Sequence, residues 1–174
     1  MSLGARISVL FVLLLSYAAT AACGYHLTGS GRNIPENIKT VYIGGFENKT
    51  SRAQASEFVT TAIRREFTRR SGLTLVEDVS RADATLEGEI AIFDVKPQSY
   101  SATGSATLYT VTIRLNVRFV DLRDNTMIYE GKMLSFSDQY DLESDNFFTQ
   151  ETRSLARISM EFASSIVSLI LENF

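Results

Sequence analysis

The sequence predicts an α+β fold: two helices packed on one face of a largely antiparallel four-stranded sheet. Three observations carry this. Thr107 to Val120 alternates strictly, with Tyr109, Val111, Ile113, Leu115, Val117 and Phe119 on one side and Arg114, Asn116 and Arg118 on the other. Period two over that length marks an antiparallel strand with one wet face. Two other segments carry apolar residues at helical spacing. The chain order is strand, helix, several strands, helix, so both apolar stripes bury against one sheet.

The first 22 residues read as a processing segment rather than part of the fold. Arg6 supplies a positive charge, Ile7 to Tyr17 is almost wholly apolar, and Ala18 to Ala22 are small. That is the pattern of an export signal, and the apolar run is shorter than the roughly 20 residues a bilayer span needs. No other segment reads as a membrane span. Cys23 follows the small residues directly and is the only cysteine of the 174-residue chain. Two readings explain it: a free thiol after cleavage at Ala19-Thr20-Ala21, or acylation of Cys23 as the new N-terminus. Its position favours acylation, and Thr20-Ala21-Ala22-Cys23 resembles the lipobox of bacterial lipoproteins, with Thr20 where that pattern has Leu. Several acyl chains give stable anchoring, each buried CH₂ adding about 0.8 kcal/mol.

Residues 23–38 read as a tether rich in turn formers, and residues 39–174 as a single two-layer domain. Thr40 to Ile43 is the first strand, ended by Gly44-Gly45. Ser51 opens the first helix, with Gln54 three residues on as a capping box. Phe58, Val59, Ala62, Ile63 and Phe67 form its apolar face, and Gly72 stops it. Arg64, Arg65, Arg69 and Arg70 complement the negative end of the helix dipole; an anion-binding patch is the alternative. Leu73 to Val76 is a short strand. Ala84 to Lys96 is a longer one whose phase breaks near Ile92, which predicts a bulge. Pro97 to Ser105 is a polar tip, so this strand and the next form a hairpin. That pairing sets Glu89 near Arg114 and Glu87 near Arg118 as cross-strand pairs. Asp121 to Asn125 is a turn and Thr126 to Phe136 the last strand, followed by a polar, acidic Ser137–Asp145. Leu155, Ile158, Phe162, Ile166 and Leu169, widened by Ala163 and Ile170, form the core face of a closing helix.

The chemistry bounds function by what is missing. His26 is the only histidine and stands three residues from Cys23, in a leader too loose to hold a catalytic geometry. No Cys/His metal site can be built, no phosphate-binding glycine motif is present, and neither cofactor nor metal is expected. Asp121, Asp124 and Asn125 read as turn formers. The chain reads as no enzyme. Removing the leader takes Arg6 with it and leaves 16 basic against 20 acidic residues, which gives nucleic acid no electrostatic footing.

Cys23-Gly24-Tyr25-His26-Leu27, then Pro35, then Val41-Tyr42-Ile43, resembles the start of the lipopolysaccharide-assembly lipoprotein family LptE. The first helix, the short strand and the long hairpin follow in matching order. The resemblance implies an outer-membrane lipoprotein, lipid-anchored through Cys23 and facing the periplasm. It implies a partner, an LptD-like outer-membrane β-barrel, inside which the chain would act as plug and assembly partner in lipopolysaccharide transport. Gly24 after the cysteine suits outer-membrane sorting. The family meets lipopolysaccharide phosphates through basic residues near the hairpin tip. Here Pro97 to Ser105 holds no Lys or Arg, so the resemblance implies a plug before a lipid carrier, with Lys96, Tyr100 and Lys132 the candidate lipopolysaccharide contacts. A different expectation comes from Val41 to Thr50, which resembles the opening of periplasmic lipoproteins that activate or dock on a cell-wall synthase or secretion pore.

Overall fold

The computed structural model describes residues 34–141 and 146–172. Cys23 and residues 1–22, read above as an export signal, lie outside them. The elements run β1 (Thr40–Ile43), β2 (Glu47–Asn48), α1 (Ala55–Arg70), β3 (Thr74–Val76), a single 3₁₀ turn at Val79–Arg81, β4 (Ala84–Tyr100), β5 (Ala106–Asp121), β6 (Met127–Asp141) and α2 (Phe147–Glu172).

The α+β class holds, but the sheet has six strands and is mixed, not four-stranded and largely antiparallel. Its order is β3-β1-β4-β5-β6, with β2 also beside β4. β1 pairs parallel with β3 and with β4, and β2 pairs parallel with β4. The antiparallel part is the long β4–β5–β6 meander. The reason is connectivity. β1 leads into α1, which returns the chain to the same end of the sheet, so β3 enters in the direction of β1. The start of β4 is tied to β1 by Asp83, whose Oδ2 accepts from the backbone N of Lys39 and Thr40, both at 2.8 Å.

α1 begins at Ala55, not at Ser51, and Gln54 makes no side-chain cap. The approach is held instead by a turn in which Asn48 Oδ1 accepts from Thr50 N at 2.9 Å and Asn48 Nδ2 donates to Arg52 O at 2.8 Å. Asn48 satisfies the entering backbone locally, so Ser51 is not needed as a cap. The helix stops as expected at Gly72, whose φ of +71° suits a residue without Cβ. Val59, Ile63 and Phe67 are buried, while Phe58 and Ala62 lie at the margin.

β4 keeps the expected irregularity: its register with β5 shifts between Ile90 and Ile92. It also runs on through Pro97 to Tyr100, so the polar tip shrinks to the turn closed by Ser101 N donating to Ser105 O at 2.8 Å. Pro97 is tolerated because β1 and β2 have already ended on that side of β4, and no ladder bond needs its missing N–H. β6 likewise continues to Asp141, through residues that read as an acidic loop.

The core lies between the sheet and both helices. Phe46, Phe67, Phe119 and Phe162 are among its largest buried side chains. Phe162 meets Phe46 and Phe136 edge-on, at ring distances of 5.8 and 5.4 Å. The two helices run parallel: Arg52, just before α1, pairs with Glu151 near the start of α2, and Arg70 at the end of α1 pairs with Glu172. By length and composition α2 is apolar enough to cross a membrane, but its apolar rows are buried in the core. Those rows step by four, through Leu155, Ser159, Ala163, Val167 and Leu171 and through Ile158, Phe162, Ile166 and Ile170. Rows at that spacing slide round the helix as it descends. Leu169 is left outside, 39% exposed, against the expectation that it joins the core.

Candidate interaction surfaces

Because both helices cover one face of the sheet, the other carries the alternate residues of every strand. It is polar over its middle, with Leu108, Ile92 and Val120 as apolar interruptions. On β5 these are Thr110, Thr112, Arg114, Asn116 and Arg118. Glu87 sits opposite Arg118 as expected, and the two pair at 3.2 Å. Glu89 does not face Arg114. The hairpin turns about Thr103, which sets Ile92 opposite Arg114, and past the bulge at Ala91 Glu89 stands opposite Asn116. Asn116 Nδ2 donates to Glu89 Oε1 at 3.2 Å, and Asn116 Oδ1 accepts from Met133 N at 2.8 Å. One side chain thereby clamps three strands, and it holds the β6 bulge where Met133 takes a φ of +49°. Around this clamp lies a depression of about 600 Å³ lined by Gly44, Glu47, Glu89, Arg118, Glu130 and Lys132 among others. Its carboxylates are already engaged: Glu47 by Lys49, Glu87 by Arg118, Glu130 by Lys132. Among the described residues no group of three or more His, Cys, Asp or Glu is placed to hold a metal.

The candidate lipopolysaccharide contacts are not gathered at one place. Lys96 lies opposite Thr110, and Tyr100 opposite Ala106 near the tip. Lys132 follows Gly131, which lies opposite Val117. Counted along β5 at ~3.4 Å per residue, Lys96 and Lys132 are roughly 20 Å apart. Each lysine is also held by a carboxylate two residues away on its own strand, Lys96 by Asp94 at 2.7 Å and Lys132 by Glu130 at 2.9 Å. Tyr100 is 63% exposed. The α1 arginines are largely committed internally. Arg64 donates to Ile43 O at 2.6 Å, Arg69 binds Glu66, and Arg70 binds Ser168 and Glu172 at 2.7 and 2.9 Å.

On the helix side the structure shows a polar feature that the periodicity reading passed over. Glu151 is buried and ion-paired with Arg52, whose guanidinium also lies 5.5 Å from the centre of the Phe93 ring. Burial pushes the Glu151 carboxyl up from its ordinary value, against the pull of Arg52. Burial likewise pushes the Tyr140 phenol up to about 12. The signal was present in the sequence: Glu151 stands four residues before Leu155, on the apolar stripe itself. Beyond this pair, Tyr109 and Tyr140 stack at 5.5 Å, and Phe147 meets both edge-on. A second groove, about 450 Å³, runs between the helices past Phe58, Ala62, Ala156 and Met160.

No curated protein matches the chain by sequence. Among solved structures it is similar to an uncharacterized lipoprotein B from Nitrosomonas europaea, with 14% identity over 85% of this chain and 90% of that one, at a TM-score of 0.58. It is also similar to a protein from Xanthomonas campestris, with 13% identity over 84% of this chain and 89% of the other, at a TM-score of 0.56. A hypothetical protein from Chlamydia trachomatis matches at 13% identity and a TM-score of 0.55, over 78% of this chain and 99% of its own. These likenesses are of fold. The family model for LptE, lipopolysaccharide-assembly, matches residues 38–171, from just before β1 almost to the end of α2, and the chain belongs to that family.

Proposed function

We propose that the chain is an outer-membrane lipoprotein, acylated on Cys23 and facing the periplasm, that serves as plug and assembly partner of an LptD-like β-barrel in lipopolysaccharide transport. The observation that supports this beyond family membership is the open sheet face. From Glu87 and Glu89 through Arg114, Asn116 and Arg118 to Ser135 and Ser137 it is mostly polar, with Glu87 paired to Arg118 and Glu89 held by Asn116. The lumen of a large outer-membrane barrel is polar and wet, so a mostly polar face, Arg114 included, stays hydrated there. The chain acts by occupying and supporting, not by catalysis. Lys96, Tyr100 and Lys132 remain the proposed lipopolysaccharide contacts. Lys96 and Tyr100, on the projecting hairpin, are placed to reach furthest.

The test is affinity purification of the full chain from solubilised outer membrane, with depletion in parallel. A co-purifying barrel, and misassembly of that barrel on depletion, support the reading. Normal barrel assembly and normal surface lipopolysaccharide after depletion overturn it, and recovery of a cell-wall synthase or secretion pore points to a docking module instead. Mass spectrometry of the mature N-terminus reads the acyl chains on Cys23 directly; an unmodified thiol removes the anchor from the account.

A further inference from the structure

The sheet has an unfilled strand position. β1 leaves β4 at Leu86, and β2 leaves it at Ile90, where Lys49 N donates the last bond to Ile90 O at 3.0 Å. From Ile92 onward β4 has β5 on one side and, among the described residues, no strand on the other. In an antiparallel ladder every second residue turns its N–H and C=O away from its partner, so this stretch presents unpaired backbone groups. The other long free edge, β6, is differently equipped. α2 lies beneath it, Arg157 donates to Asp138 at 2.8 Å across its rim, and the Met133 bulge bends it. Among the described residues no helix packs under the free part of β4, where Arg52, just before α1, lies over the Phe93 ring. α1 starts level with β2, where Ser56 Oγ donates to Phe46 O at 2.6 Å, and runs toward the other end. Phe93 and Val95 are therefore only partly buried.

We propose that the Ile92–Lys96 edge of β4 takes an extended segment of the barrel partner as an added strand. This rests on the barrel-partner reading above. Main-chain hydrogen bonds to β4 would supply affinity. Alternate apolar side chains of the segment would cover Phe93 and Val95, and the intervening polar ones would join Asp94, Lys96 and Arg114 on the open face. The position is bounded by β2 below and Pro97 above, which has no N–H to donate. Those bounds argue for a partner segment over a second copy. Two β4 edges brought antiparallel across a two-fold axis would set each copy's Glu47–Asn48 strand against the other's Gln98–Tyr100. The chain's own N-terminal residues come in at Ile34, at the far end, where Arg123 Nη1 donates to Asn37 O at 3.2 Å.

The test places a photoreactive benzophenone side chain at Asp94, at Gln139 on the β6 edge, or at Met160 on the helix face of the full chain in cells. The expected result is a barrel adduct from position 94 that maps to one continuous segment. Adducts with the barrel from 139 or 160 but not from 94 overturn the strand addition while leaving the barrel partnership intact. No barrel adduct from any position removes both. An adduct at 94 with a second copy, or with residues 23–33 of this chain, replaces the occupant and overturns the proposal. Amide exchange in the purified complex supplies the backbone readout. The amides within Ile92–Lys96 that turn away from β5 should slow by about tenfold or more relative to the free chain, while Ser135–Gln139 stays as it was; unchanged exchange at those amides rules out backbone pairing.

Discussion

The two halves of the β4–β5 hairpin share one ladder but have different surroundings. Below the bulge at Ala91, β4 has β5 on one side and β1 or β2 on the other, and Leu86 and Ile90 are wholly buried. Above it, β4 has one neighbour, Phe93 and Val95 are partly covered, and the strand ends in the exposed Tyr100. A single extra residue thus divides a continuous hairpin into a part that holds the fold and a part that reaches out of it. Substitutions should sort along the same line.

The largest effect is expected in the core beneath the point where the two halves meet. Phe162→Ala empties the space between Phe46 and Phe136 and should cost about 3–5 kcal/mol, read as a shift in urea midpoint with unchanged slope. Next comes Gly88→Ala. A Cβ there would stand 2.1 Å from the Phe46 ring, and Phe46 is buried with nowhere to retreat. Overpacking of this kind costs about 1–3 kcal/mol. Phe46→Leu in the same chain should recover part of the loss, because the two positions contend for one volume. Additive effects would show that the strain lies elsewhere.

Local periodicity made the β4–β5 hairpin legible and left much of what surrounds it unread. The alternation from Val111 to Phe119 and the phase break at Ile92 are written in consecutive residues, and both were read. β2 is a two-residue strand with no pattern of its own, and the parallel pairing of β1 with β3 and β4 depends on how α1 returns the chain. Neither leaves a local trace, so the sheet read as four-stranded and antiparallel. Glu89 was assigned to Arg114 because the centre of the hairpin turn, near Thr103, sets the register and leaves no periodic trace. The candidate contacts fared differently again. Lys96 and Tyr100 were proposed from the tip composition, but sequence alone gave no sign that Lys132 lies well down β5. Glu151 and Asn116 were passed over because single polar residues look like interruptions of a pattern.

A pH titration should separate two kinds of carboxylate. Asp83 accepts two backbone N–H bonds and a bond from Thr40, and these hold its carboxyl below the ordinary 3.8. A lowered folded value means the stabilisation is complete above 3.8 and is lost as pH falls through the folded value. Glu151 is raised, chiefly by burial, so its sign is opposite. Its proton binds more readily in the folded chain than in the unfolded one, and stability declines as pH rises from the ordinary 4.5 through the folded value. Asp83→Asn should flatten the acid limb of stability below pH 3.8. Glu151→Gln should flatten the decline that begins near 4.5 and leave the acid limb in place. Identical profiles for Glu151→Gln and the parent would mean that Arg52 cancels the burial cost.

The smallest effects on stability are expected at Lys96 and Lys132, and there the upper and lower halves can be told apart by function instead. Each lysine makes one exposed pair on its own strand, so Lys96→Ala and Lys132→Ala should each change stability by less than about 0.5 kcal/mol. Lipopolysaccharide crosslinking to the two variants is then free of folding effects. The two ammonium groups are carried by stretches of strand roughly 20 Å apart, too far for one phosphate to bridge them. Loss at Lys96→Ala alone, shared by Tyr100→Ala, would put the lipid at the projecting arm. Loss at Lys132→Ala alone would move it to the depression beside Asn116. Retention in all three would leave the chain a plug that touches no lipid at these residues, and the departure of its hairpin tip from the basic family pattern would then be the reason.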